Sequence, residues 1–115
     1  IMAVNLSAND RHACESYGPA LESLVARARG AGVKVFFFLE AVQNREDGIG
    51  KAHKVMQEVA GKHRVAISDL DAFIRKNVGV TGFIWWDLHH LTSWGQHLAG
   101  DYIWRQIRQA VQPRP

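Results

Sequence analysis

The sequence predicts an α/β fold, because segments with strand character alternate along the chain with segments of helical periodicity. The run from Val33 to Leu39 is almost continuously apolar and lies between a glycine and a polar loop, which is typical of a strand buried in a parallel sheet. The order is strand, helix, strand, helix, strand, short helix, loop, helix. We therefore expect a parallel sheet with helices on its faces.

The N-terminal part predicts a strand followed by an amphipathic helix. Residues Ile1 to Leu6 are short, apolar and strand-like, and a polar cluster follows from Ser7. Pro19 suits the first position of a helix. The apolar side chains of this helix recur at helical spacing and are Leu21, Leu24, Val25 and Ala28. Gly30 and Gly32 come next, so we expect the helix to end there.

The middle of the chain predicts a second helix, a third strand and a short third helix. A loop from Gln43 to Gly50 leads to the second helix, and Gly61 is its expected end. The buried stripe of that helix would comprise Ala52, Val55, Met56, Val59 and Ala60. Val65 to Ile67 predict a short strand, and Asp69 can cap the helix after it. Its inward side chains would be Leu70, Phe73 and Ile74, and a loop would span residues 77–82.

The C-terminal part predicts one long amphipathic helix. The run from Ser93 to Gln96 fits a capping box, in which the serine hydroxyl and the glutamine side chain bond free amides of the first turn. The apolar face would consist of Leu98, Tyr102, Ile103, Ile107, Ala110 and Val111. Docking of this face on the core would anchor the loop that precedes the helix.

Composition excludes several classes of protein. With 115 residues, 47% hydrophobic and 22% charged, the chain is one soluble globular domain or part of one. The net charge of +3 is scattered, which argues against nucleic-acid binding. The single cysteine, Cys14, cannot form an intrachain disulfide or a thiolate metal site. No run is long enough for a membrane span and no signal peptide is visible, and the compartment stays open.

The predicted sheet is small for its class. Three strands are few for an open α/β sheet, and an edge strand that starts at Ile1 would be unprotected. The chain also opens on an apolar run rather than on an initiator methionine. We therefore expect a domain truncated at its N-terminus.

The stretch from Trp85 to His97 combines a carboxylate, three imidazoles and a helix start, and we expect chemistry there. An aspartate three residues before a histidine can bend back through a turn, so that its carboxylate accepts a hydrogen bond from one imidazole nitrogen. The other nitrogen then remains available as a general base. Asp87 and His90 are therefore a candidate catalytic pair. His89 is the local competitor for the role of base.

Two runs of residues, Asp87 to Gly95 and Ser7 to Asp10, make the chain resemble the C-terminal two-thirds of the SGNH hydrolases, also called the GDSL-type esterase and lipase superfamily. The run from Asp87 to Gly95 is similar to that family's last block, an Asp-x-x-His followed by a small turn and a glycine that opens the terminal helix. The run from Ser7 to Asp10 resembles its third block, usually Gly-x-Asn-Asp, with serine here in place of the glycine. The resemblance covers essentially the whole chain.

The resemblance implies a fold and a set of roles. The fold would be a three-layer α/β/α, flavodoxin-like parallel sheet, with residues 1–115 as a single partial domain. His90 would act as general base, with Asp87 as its orienting partner and Asn9 as an oxyanion donor. The family's Gly-Asp-Ser nucleophile block and the glycine of its second block do not occur in this sequence, so they would lie upstream of Ile1. No Gly-x-Ser-x-Gly elbow is present either.

The activity implied is hydrolysis of acyl or acetyl esters of a small-molecule, carbohydrate or lipid-like substrate, without a cofactor. The chain alone would be inactive, because it lacks the nucleophile. The main alternative is a non-catalytic α/β binding module that keeps the pocket. A less favoured one is a metal site built from Asp87, His89, His90 and His97. Trp85, Trp86 and Trp94 could line a sugar or acyl pocket or belong to the core.

Overall fold

The computed structural model describes residues 1–6, 15–43, 49–77 and 83–112. Within these ranges the chain forms three strands and four helices, in the order predicted. They are β1 (Met2–Val4), α1 (Tyr17–Gly30), β2 (Val35–Leu39), α2 (Ile49–His63), β3 (Ala66–Asp69), α3 (Leu70–Asn77) and α4 (Ser93–Val111). No helix among the described residues is long and apolar enough to cross a membrane.

The three strands form one parallel sheet in the order β1-β2-β3. Alternate side chains of β2 face opposite ways, as the pleat of a strand requires. Phe37 belongs to a core cluster formed with α1 and α2. Phe38 instead lines a cleft together with residues of α4. The described part of the chain is therefore a mixed α/β structure compatible with three α/β/α layers.

Two hydrophobic clusters lie on the two faces of this sheet. One joins the sheet to α1 and α2 and includes Val25 and Met56, both fully buried. The other joins α3, α4 and the segment between them, and includes Ile74, Trp85 and Ala99. Phe73 of α3 stacks on Tyr102 of α4, with ring centroids 4.2 Å apart and planes 15° apart. This second cluster also contains Ile84, Trp85 and Leu91, which flank Asp87 and His90 in the sequence.

Glycine ends α1 as predicted, but not α2. After α1, Gly32 has a φ of 71°, and the N–H of Val33 donates to the carbonyl of Ala28 at 2.8 Å. This is the Schellman arrangement that glycine favours. The helix α2 continues through Gly61 to His63, so the prediction of Gly61 as its end was wrong. Arg64, with a φ of 51°, takes the left-handed position there.

The ends of other helices and strands also differ from the predicted positions. The first strand is shorter than the predicted span of residues 1–6, since it covers only Met2–Val4. The helix α1 begins at Tyr17, which places Pro19 in its first turn rather than at its first position. The helix α2 begins at Ile49, inside the predicted loop. Asp69 caps α3 as expected, because its Oδ1 accepts from the N–H of Ala72 at 2.7 Å.

The start of α4 differs from the predicted capping box. The cap is Thr92, whose hydroxyl accepts from the N–H of Gly95 at 3.2 Å, and Ser93 is already the first helical residue. Thr92 takes this role because its backbone is extended and its N–H donates to the carbonyl of Ile84 at 2.9 Å. The docking face is also shorter than predicted. Leu98, Tyr102 and Ile103 pack against the second cluster and Ile107 is half-buried, whereas Ala110 and Val111 are exposed.

Candidate active site

The loop that carries the candidate pair is closed by hydrogen bonds between its two arms. Trp85 and Leu91 form an antiparallel bridge. Beside it, the N–H of Trp86 donates to the carbonyl of His90 at 2.8 Å. Trp85 and Leu91 also pack into the core cluster shared with α3 and α4. We call residues 84–92 the candidate loop. Its ends are anchored in the core and its tip carries the polar side chains.

Asp87 and His90 are in direct contact within this loop. The Nδ1 atom of His90 lies 2.9 Å from Oδ1 and 2.7 Å from Oδ2 of Asp87. Oδ1 of Asp87 also accepts from the backbone N–H groups of His89 and His90, each at 2.8 Å. This is the local turn that aspartate favours, in which a side chain bonds the backbone two and three residues onward.

These hydrogen bonds hold the Asp87 carboxyl in its ionised form. They lower its pKa from 3.8 to about 2, the backbone N–H of His89 contributing most and the His90 ring next. An ionised carboxylate only accepts hydrogen bonds, so Nδ1 of His90 is the donor. In the neutral ring Nε2 is then the acceptor. The arrangement is that of an oriented general base.

The pair is open to solvent on this chain. The side chain of His90 is 75% exposed and that of Asp87 is 54% exposed. Water competes for both groups at such exposure, so their attraction is weaker than it would be in a closed site.

A cleft of about 350 Å³ lies beside His90. Asn5, which follows β1, and Glu40, which follows β2, line it together with His89, His90 and Gln96. Because the strands are parallel, the residues that follow β1 and β2 lie at the same carboxyl edge of the sheet. The structure brings Glu40 and His90 to that edge, where ligands of open parallel sheets commonly bind.

The other predicted residues have different surroundings. Asn9, the predicted oxyanion donor, lies with the whole run from Ser7 to Asp10 outside the described residues. His89 bonds the Asp87 carboxylate through its backbone N–H. His97 stacks on Trp94 with ring centroids 6.4 Å apart. No group of three or more His, Cys, Asp or Glu side chains in the described ranges could hold a metal ion.

The tryptophans divide between core and surface. Trp85 is buried, with 8% exposed, whereas Trp86 and Trp94 are 77% and 58% exposed. The exposed pair lines a groove of about 420 Å³ with Phe83. Trp85 therefore belongs to the core, whereas binding of a sugar or acyl group by Trp86 and Trp94 stays a prediction.

Sequence reasoning missed an ion pair that contacts the chain next to this loop. Asp71 and Arg75 lie four residues apart in α3, and Nε of Arg75 lies 3.0 Å from Oδ1 of Asp71. A signal was present, because Asp71 lies between the inward-facing Leu70 and Ile74, and an arginine follows one turn later. An acidic residue on the inward side of a helix requires a partner.

Comparisons with known proteins bear on the fold. No protein-family model and no curated protein sequence matches the chain. A solved structure, the crystal structure of an acetyl xylan esterase, AlAXEase, is similar, with a TM-score of 0.72 and 19% sequence identity. The match covers 96% of this chain and 66% of that one. The chain thus shares the fold of an esterase and spans just under two thirds of its length.

Proposed function

We propose that this chain is part of an SGNH/GDSL-type serine hydrolase that cleaves acyl or acetyl esters, with acetylated carbohydrate as the first substrate to test. The observation that carries the proposal is the hydrogen-bonded Asp87–His90 pair at the edge of the sheet where Glu40 and Asn5 also lie. The esterase-like fold supports it. In this proposal His90 is the general base, Asp87 orients it, and Asn9 donates to the oxyanion.

The proposed reaction has two steps. Nε2 of His90 takes the proton of a serine hydroxyl while the serine oxygen attacks the ester carbonyl. The oxyanion accepts a hydrogen bond from Asn9, the alcohol leaves with the proton from His90, and an acyl-serine remains. Water then attacks the acyl-serine and gives its proton to His90, and His90 returns that proton to the departing serine oxygen as the carboxylic acid is released. Asp87 stabilises the imidazolium in both steps.

The serine of this reaction is proposed to come from a segment that precedes Ile1 in a longer protein. The chain's own serines are Ser7, Ser16, Ser23, Ser68 and Ser93. None follows a Gly-Asp pair, which is the context of the family's nucleophile. The greater length of the structurally similar esterase is consistent with such a segment. We therefore expect the 115-residue chain alone to show no serine-dependent turnover.

The first test is to sequence the coding DNA immediately upstream of Ile1 and look for an in-frame strand followed by a Gly-Asp-Ser turn. If it is present, the longer chain should hydrolyse p-nitrophenyl acetate and release acetate from acetylated xylan. If a start codon immediately precedes Ile1 instead, the proposal of a truncated hydrolase is wrong. A binding module that uses the cleft beside His90 would then be the better assignment.

The second test compares two adjacent histidines in the active longer chain. His90→Ala should lower kcat by on the order of 10²–10⁴-fold, the usual contribution of a general base. His89→Ala is the matched control and should have a much smaller effect, because its contact with Asp87 is made by the backbone N–H, which alanine retains. Equal losses in kcat from the two variants, with both folded by circular dichroism, would contradict the assignment of His90.

A further inference from the structure

An ion pair in α3 has one buried and one partly exposed partner. Nε of Arg75 lies 3.0 Å from Oδ1 and 3.1 Å from Oδ2 of Asp71. The side chain of Asp71 is 1% exposed and that of Arg75 is 29% exposed. A carboxylate at this depth is costly unless charged and hydrogen-bonding partners surround it. Asp71 therefore depends on Arg75.

The same pair binds the segment that follows β2. Nη2 of Arg75 donates to the carbonyl of Val42 at 2.6 Å and lies 3.5 Å from that of Gln43. The N–H of Val42 donates in turn to Oδ1 of Asp71 at 3.5 Å. The ion pair thus contacts both the N–H and the carbonyl of Val42. The rigid fork of a guanidinium suits such simultaneous contacts, because its donors are fixed relative to one another.

Gln43 connects this segment to the candidate loop. Its backbone N–H donates to the carbonyl of Leu88 at 3.1 Å. Leu88 directly follows Asp87, and the Asp87 carboxylate bonds His90, three residues after Asp87. A shift of Val42 and Gln43 would therefore move the peptide between the two members of the candidate pair.

We infer that Asp71 and Arg75 are positioning residues for the candidate loop. Through Val42 and Gln43 they hold the Leu88 carbonyl where the Asp87 carboxylate can bond both the backbone and the ring of His90. The catalytic meaning of this inference rests on the proposed function, whereas the positioning of the loop can be measured without any hydrolysis. The competing explanation is that the ion pair only attaches α3 to the core.

The test uses Arg75→Lys in the 115-residue chain. Lysine keeps a positive charge beside Asp71 but has no fork to reach the Val42 carbonyl as well. We expect the pKa of Asp87, followed by carboxyl NMR, to rise from about 2 toward 3.8. We also expect the amides of His89 and His90 to exchange with solvent about tenfold faster, since the local opening of the loop becomes easier.

A second variant tests the same inference without the risk that an unpaired buried charge unfolds the chain. Asp71→Leu combined with Arg75→Met removes both charges, so no unpaired carboxylate stays buried. This double variant should likewise raise the pKa of Asp87 and speed the exchange of the His89 and His90 amides. Unchanged loop signals in both variants would overturn the inference.

The control is Val25→Ala, which removes buried volume on the other face of the sheet. It should lower the free energy of unfolding and leave the Asp87 titration and the two amides unchanged. If Val25→Ala disturbs the loop as much as Arg75→Lys does, the pair has only a structural role and the inference is wrong.

The active longer chain separates this inference from the proposed function. There Arg75→Lys should lower kcat several-fold with little change in KM. If that chain never hydrolyses esters but the loop still moves in Arg75→Lys, the proposed function fails and the positioning role stands. If hydrolysis occurs and its kcat is unaffected by Arg75→Lys, the positioning role fails and the proposed function stands.

Discussion

At the scale of single residues, Asp87 is the acceptor on which the candidate loop depends. Its Oδ1 accepts from two backbone N–H groups, and both of its oxygens lie within hydrogen-bonding distance of Nδ1 of His90. These donors favour the charged carboxylate, which is why its pKa falls to about 2. Protonation of Asp87 would weaken all three hydrogen bonds together.

The pH dependence of the loop follows from this shift. The pKa of Asp87 in the folded chain, about 2, lies below the ordinary value of 3.8. Its hydrogen bonds therefore contribute fully above pH 3.8 and are lost as the pH falls through about 2. We expect the amide NMR signals of His89 and His90 to stay in place from pH 5 to about pH 4 and to shift toward unbonded values as the pH falls through about 2.

Asp87→Asn provides the control for this titration, because an amide does not titrate in that range. In this variant the two amide signals should be constant from about pH 4 to pH 2, provided that the rest of the fold persists. Movement of the wild-type signals between pH 5 and pH 4, rather than as the pH falls toward 2, would mean that another group governs the loop.

At the scale of elements, the junction between the candidate loop and α4 is tightly packed around Gly95. A Cβ atom at Gly95 would lie 2.5 Å from the carbonyl oxygen of Ile84 and 3.1 Å from Cβ of Leu91. Gly95→Ala should therefore push the first turn of α4 away from the loop and lower the free energy of unfolding by about 1–3 kcal/mol, a typical cost of overpacking. Urea denaturation measures this loss.

Gly100 provides a matched control in the same helix. A Cβ atom there would meet nothing within 4 Å. Gly100→Ala should raise the free energy of unfolding by about 0.5–1 kcal/mol, because alanine loses less backbone entropy than glycine in a helix. Equal effects of the two substitutions would show that the close approach at Gly95 does not constrain the junction.

The elements themselves were predictable, whereas several of their ends were not. Periodicity and apolar runs are local properties, so all seven described elements were expected in the correct order. Ends depend on contacts made elsewhere in the chain. Thr92 caps α4 instead of Ser93 because its N–H bonds Ile84, and no local pattern contains that contact. Helix ends commonly carry a glycine in the left-handed conformation, which is why Gly61 was predicted as the end of α2. In this chain Arg64 takes that conformation instead, so the prediction was wrong.

The candidate site likewise has contacts that could be predicted from the sequence and contacts that could not. The contact of Asp87 with His90 follows from their spacing of three residues, and it was expected. The link from Arg75 through Gln43 to Leu88 joins three separate parts of the chain, so the sequence alone could not predict it. The catalytic roles of His90, Asp87 and Asn9 stay predictions.

At the scale of the whole molecule, two helical layers share one thin sheet. The layer of α1 and α2 and the layer of α3 and α4 have separate core clusters. All four tryptophans, Trp85, Trp86, Trp94 and Trp104, lie in the second half of the chain, in the candidate loop and α4. Their fluorescence therefore reports the second layer, whereas far-UV circular dichroism reports all helices. The two probes can show whether the layers unfold together.

We expect the layers to unfold together, because a three-stranded sheet stripped of either helical layer would expose a large apolar face. The same substitution tests each layer, since Ile49 of α2 and Ile74 of α3 are 1% and 0% exposed. Ile49→Val and Ile74→Val should each lower the free energy of unfolding by about 0.5–1.5 kcal/mol. In urea, fluorescence and circular dichroism should give one coincident transition for each variant. A fluorescence transition that precedes the other in Ile74→Val alone would instead mean that the layer supporting Asp87 and His90 opens independently.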